Sequence, residues 1–164
     1  MTKIAWAIME RAMRLALYQP DIAGNVGTIM RLCACFAVPL DIVMPCGFPF
    51  SDRQLKRAAM DYEGQADVTR HANAAEFFDS RAAAHSRIVL LTSRGTITLS
   101  DAALRADDTL LLGSESAGVP DDVHSRADLA LRIPMAAGFR SLNIAVAAGI
   151  ALHEALRQTG QTPS

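Results

Sequence analysis

The chain has 164 residues, of which 51% are hydrophobic and 20% charged; 16 Lys and Arg stand against 17 Asp and Glu, for a formal net charge of −1. That size and balance describe one globular domain with a sizeable core and exclude disordered and collagen-like classes. Near-neutral charge gives no whole-surface attraction for nucleic acid, so such a partner has to be met by a local patch.

No apolar run reaches the roughly 20 residues that a bilayer requires, and the N-terminal IAWAIM is too short and lacks a cleavage site for a signal peptide, which makes the cytosol the expected compartment. Cys33, Cys35 and Cys46 are odd in number and lack zinc-finger spacing, so buried reduced thiols are expected rather than disulfides or a structural metal.

In chain order, residues 1–12 read as an extension, 13–160 as a single domain and 161–164 as a frayed tail. The unalternating aliphatic runs at 14–18, 40–45, 87–93, 109–114 and 129–134 are strand-length and of the kind buried on both faces. Helical periods fall at 25–37, 52–60, 74–85 and 141–158, with a short turn of helix after Pro120. Alternation of this sort predicts an α/β fold, an open and mostly parallel sheet with helices on both faces.

Ligands of such folds collect in the loops after strands. After the first strand, QPDIAGNVGTIMRLC offers Gly24 and Gly27 for close backbone approach, Asn25 as a helix cap and Arg31 one turn into that helix. The later loops are SRGT, then ESAGVP with Glu115, then MAAGFRSLN, a polar mouth on an otherwise apolar helix. Each alone fits an ordinary turn or capped helix. Neither a P-loop nor a GxGxxG fingerprint is present, which argues against a common NTPase or dehydrogenase.

Taken together and in order, NVGTIMR, LLLGSESAGVP and LRIPMAAGFRSLNIAVAAGIALHEALRQ resemble motifs one, two and three of the SPOUT class (TrmH-like) of RNA 2'-O-ribose methyltransferases. The lack of an appended RNA-binding domain and the stretch CGFPFSDRQLKRAAMDY are similar to the small TrmL subfamily, the tRNA (cytidine(34)-2'-O)-methyltransferases.

The resemblance implies a C-terminal deep trefoil knot, a homodimer in the cytoplasm, and methylation of the wobble nucleotide (cytidine or uridine 34) of leucine tRNAs. The same class leaves open another tRNA or ribosomal RNA position, or a non-catalytic RNA-binding knotted dimer. The implied cofactor is S-adenosylmethionine, held by Leu91, Thr92, Gly113, Glu115, Ile133, Met135 and Ser141, with no metal needed because the donor already carries a sulfonium leaving group.

Arg31, Arg140 and Asn143 match the positions around the reacting groups, although Asn143 fits a helix-start amide equally well. A guanidinium has a pKa above about 12, so using one as a base near neutrality costs on the order of 7 kcal/mol. Positioning a phosphate asks less of Arg31. For RNA, Arg53, Lys56 and Arg57 share a helical face close to Tyr62, and Arg70 and His71 extend the patch; a solvated face is the plainer reading. His153, where the subfamily has Tyr, is grouped with these RNA-facing residues, while Ala117 and Ala145 depart from the subfamily's Arg and Ser.

Overall fold

A computed structural model describes residues 12–49 and 66–163. The expected helix at 52–60, and with it Arg53, Lys56, Arg57 and Tyr62, lies outside the described residues, as does the extension up to residue 11.

Seven parallel strands form one sheet: β1 (Arg14–Tyr18), β2 (Leu40–Val43), β3 (Val68–His71), β4 (Ile88–Leu91), β5 (Ile97–Thr98), β6 (Thr109–Leu112) and β7 (Leu129–Arg132), in the order β3-β2-β1-β6-β4-β7-β5. The central strands β1, β2 and β6 are buried at every position, and this is why they read as largely aliphatic, unalternating runs, interrupted by Arg14, Asp41 and Thr109. One face packs Leu15, Leu17, Ile42, Leu110 and Leu131 with helices α1 (Ala23–Phe36) and α4 (Ile144–Thr159). The other packs Ala16, Val43, Leu90 and Leu111 with α2 (Ala74–Ala83) and the short α3 (Asp121–Ser125).

The five strands expected from sequence are all present. β3 and β5 are additional edge strands, whose VTRH and IT are too short and too exposed to leave an apolar run. β3 also corrects the reading of His71. Its side chain is buried and its Nε2 lies 2.9 Å from Asp41 Oδ1, with the ring edge-on to Phe77 at 5.4 Å between centroids, so it belongs to the core and not to an RNA patch. Arg70, its neighbour, is exposed.

Asp41 in turn receives Arg14 through two hydrogen bonds of 2.8 and 3.1 Å. Burial pushes the Asp41 carboxyl up, yet the hydrogen bonds from His71 and Arg14, with the charges of Arg14 and Arg81, hold it below the usual carboxylate range. With Asp41 ionised, His71 Nε2 carries the shared proton and donates it.

Of the cysteines, Cys33 is buried and Cys46 partly so, but Cys35 is exposed, contrary to expectation, because α1 turns that position outward two residues after Cys33. Burial pushes the Cys33 thiol up to about 12 and that of Cys46 up to about 11.

Helix α4 begins at Ile144 rather than at 141, and its burial is one-sided. Ile144, Ala148, Ala151, Leu152, Ala155 and Leu156 face the core, while Val146 is 51% and Ile150 42% exposed on the opposite side. His153 is exposed on that same outer side.

Candidate active site

At the carboxyl ends of β4, β6 and β7 the following loops enclose a cavity of about 890 Å³. Leu91, Thr92, Gly113, Glu115, Ile133, Met135 and Ser141 all line it, as do Arg140 and Asn143. Arg31 lies in α1, exposed, and is not part of the lining. The lining also includes Asn25, Arg94 and Asp121, and Arg94 Nη1 sits 2.9 Å from Asp121 Oδ1 between two surface-exposed side chains.

The turn after β6 is shaped by close backbone packing. Ser114 and Gly118 pair in an antiparallel bridge with two N–H···O bonds of 2.9 Å, and Gly118 has φ +67°, in the left-handed region. A Cβ on Gly113 would stand 2.4 Å from the Gly118 carbonyl carbon. Gly113 is therefore required by the chain's own crossing, besides any room it leaves for a ligand.

Glu115, Asn25 and Asn143 form a hydrogen-bonded series across the three motif segments. Glu115 Oε1 accepts from Asn25 Nδ2 at 2.9 Å, and Asn25 Oδ1 accepts from Asn143 Nδ2 at 3.1 Å. Asn143 also caps α4, its Oδ1 accepting from the Ala145 and Val146 N–H groups at 2.9 and 3.3 Å. The helix-start reading of Asn143 thus holds, and its amide nitrogen also reaches Asn25 beside the cavity. Asn25, by contrast, does not cap α1; the N-cap is Ile22, without a side-chain bond, and Asn25 sits inside the first turn with its amide committed to Glu115 and Asn143.

Asp21 and Ser116 complete the arrangement and were not singled out in the sequence, since an Asp before a helix and a Ser in a turn are ordinary there. Ser116 donates to Asp21 Oδ2 through its hydroxyl at 2.6 Å and its backbone N–H at 3.0 Å, and these bonds hold the Asp21 carboxyl below its ordinary pKa. Phe139 is 74% exposed and Ile22 52%, beside the polar residues of the cavity mouth.

Three comparisons bear on this site. A protein of Beijerinckia indica named tRNA (cytidine(34)-2'-O)-methyltransferase is 49% identical over 146 residues, 89% of this chain and 91% of its own length. A solved structure described as giving insights into the 2-OH methylation of C/U34 on tRNA superimposes with a TM-score of 0.85 at 40% identity, covering 91% of this chain and 97% of that one. An AdoMet-bound rRNA methyltransferase of Sinorhizobium meliloti gives a TM-score of 0.81 at 31% identity, covering 89% of this chain and 56% of that one. With the SpoU rRNA Methylase family matching residues 12–153, nearly the whole described chain and all three loops of the cavity, the chain belongs to that family.

Proposed function

We propose that this chain is an S-adenosylmethionine-dependent methyltransferase that modifies the 2'-oxygen of nucleotide 34, cytidine or uridine, of leucine tRNAs. The observation that carries this reading is the convergence of the loops after β4, β6 and β7, with the first turn of α1, on one cavity in a chain similar along its length to proteins named for that reaction.

The cavity suits the cofactor. Its volume of about 890 Å³ falls within the usual range for small-ligand sites, and Leu91, Ile133 and Met135 supply apolar walls for a purine while Thr92 and Ser141 add hydroxyls. When bound, the cofactor supplies a methyl group activated by its sulfonium. The chain's residues do the rest by position and charge. Arg140 and Asn143 stand at the mouth, where a ribose enters; the exposed Arg31 of α1, outside the lining, is assigned to the phosphate next to that ribose as a bidentate cation, whose charge makes the 2'-hydroxyl easier to deprotonate. Arg53, Lys56, Arg57 and Tyr62 are proposed to contact the anticodon stem-loop, whereas His153 lies on the outer side of α4, the face proposed for the homodimer.

The same reading includes the trefoil knot and a homodimer. Two features support the knot: β7 lies between β4 and β5, and the segment joining those two crosses it so closely that a Cβ on Gly95 would stand 2.4 Å from the Leu131 carbonyl carbon. The homodimer is supported by the outer apolar side of α4, where Val146 and Ile150 are exposed and Gly149 has open space in place of a neighbour. On this view Ile150→Asp converts a dimer to a monomer in light scattering, and an unchanged mass removes that face from the interface.

The deciding experiment is methyl transfer from labelled S-adenosylmethionine to bulk tRNA from a strain lacking the gene, followed by nuclease mapping. Label on the 2'-oxygen of the leucine-tRNA wobble nucleotide is expected. Label elsewhere on tRNA retains the chemistry and overturns the substrate, and cofactor binding without transfer to any RNA overturns the enzyme.

A further inference from the structure

Asp21 lies in the segment between β1 and α1, one residue before the N-cap Ile22, outside the residues so far given a role in the reaction. Its backbone N–H donates to Glu115 Oε2 at 2.8 Å, while its own Oδ2 accepts from both the N–H and the hydroxyl of Ser116. The bonds run in both directions, which fixes the two segments in register as a one-way contact would not. On the other side the loop after β2 presses close. Gly47 donates its N–H to the Pro20 carbonyl at 2.9 Å, and a Cβ on Gly47 would lie 2.9 Å from Asp21 Oδ1 and 3.0 Å from Asp21 Cα.

The two partners of this clasp differ in how much they need it. The turn at 114–118 is closed by its own antiparallel bridge and keeps its shape without Asp21. The start of α1 has less support of its own: its N-cap Ile22 makes no side-chain bond, its first turn holds no acidic residue, and besides Asp21 it is tied across by the side chain of Asn25, bonded to Glu115 and Asn143. Asp21 therefore shares with the Asn25–Glu115 bond the hold on the first turn of α1, from which Asn25 reaches Asn143 at the end of the loop carrying Arg140.

Resting on the methyltransferase reading, we propose that Asp21 is a positioning residue that sets the α1 side of the site against the cofactor-side turn through its reciprocal bonds to Glu115 and Ser116. It acts on the alignment of the reacting groups and leaves the cofactor walls in place. Small misplacements of this kind are expensive in rate, since productive geometry tolerates well under 1 Å of error.

The test is steady-state methylation of tRNA by the full chain, with cofactor affinity measured separately by calorimetry. Asp21→Ala is expected to lower kcat about 10-fold while the Kd for S-adenosylmethionine stays within about 2-fold. Asp21→Asn, which keeps an oxygen for Ser116 to donate to, is expected to recover kcat to within about 3-fold of the wild type. Ser116→Ala added to Asp21→Ala changes nothing further, because the bond it removes is already gone.

A wild-type kcat in Asp21→Ala overturns the inference. So does a joint fall of kcat, cofactor affinity and Tm that Asn does not recover, which would make Asp21 a structural residue only. If the wild-type chain methylates no tRNA, the functional reading has failed, and the clasp is judged by hydrogen exchange. Asp21→Ala then speeds exchange at residues 22–26 and leaves 88–91 unchanged if the clasp orders α1, and unchanged exchange at 22–26 overturns it.

Discussion

Two polar networks join distant parts of this chain, and they are built on opposite terms. Arg14, Asp41 and His71 meet across β1, β2 and β3 beneath α2, nearly out of contact with water. Asp21, Asn25, Glu115, Ser116 and Asn143 meet at the carboxyl end of the sheet, half-buried or exposed beside the cavity. Desolvating a carboxylate and a guanidinium is tolerable only with strong, well-aligned partners, and Asp41 has them on both oxygens. The open network uses mainly amides and hydroxyls, which cost less to bury and can change partners when a substrate arrives. The closed network serves the fold, and the open one serves the site.

The sharpest way to break that contrast is to remove the centre of the closed network. Asp41→Ala strands the Arg14 charge in the core and is expected to cost about 3–5 kcal/mol in urea denaturation, while the folded fraction keeps its turnover. A loss below about 1 kcal/mol would mean that the pair contributes no more than a surface ion pair.

Acid should reach the same centre. The Asp41 carboxyl is depressed in the folded state, so its contribution is complete above the unfolded value near pH 4 and is lost as pH falls through the lower folded value. Asp41→Asn, though less stable at neutral pH, is expected to show a flatter decline of stability below pH 4 in melts taken across that range.

On the open side the energies should be smaller and the kinetic effects larger. Asn143→Ala removes the cap of α4 and is expected to cost about 1 kcal/mol in stability, yet to reduce kcat about 10-fold or more through the lost hold on Asn25 and the mouth. Equal and small losses in both measurements would reduce Asn143 to a cap.

The finest probe is thiol chemistry. Cys35 should react with a thiol reagent in the native state without affecting Tm, whereas Cys33, whose thiol burial pushes up to about 12 and which feels both Arg14 and Asp41, should react only after opening. Faster labelling of Cys33 in Asp41→Ala would report that opening directly.

The elements that sequence made visible are those whose environment is uniform along the strand. Leu110, Leu111 and Leu112 lie between two helical layers, and no other composition suits such a place. Edge strands β3 and β5 face mixed surroundings and leave no pattern, so the sequence shows no strand at 68–71 and groups Arg70 and His71 with a basic surface. The cofactor-side residues were read through their motif order, and the structure places every one of them on the cavity. Arg31, read the same way, is on α1 but off the cavity lining of a single chain. Asn25 was visible as a polar residue near a helix start, but its partners Glu115 and Asn143 stand 90 and 118 residues away, beyond any local rule.

Sequence by itself determined the alternation of strands and helices, the one-domain size and the three motif segments, because these follow from local hydrophobic period and residue type. Only the tertiary structure decided that Asp41 faces Arg14 and His71, that Asp21 clasps Ser116, and that one side of α4 stays uncovered. Those are facts of strand register and loop crossing. They depend on which residues the sheet order brings within 3 Å of each other, a matter of topology on which the sequence period is silent.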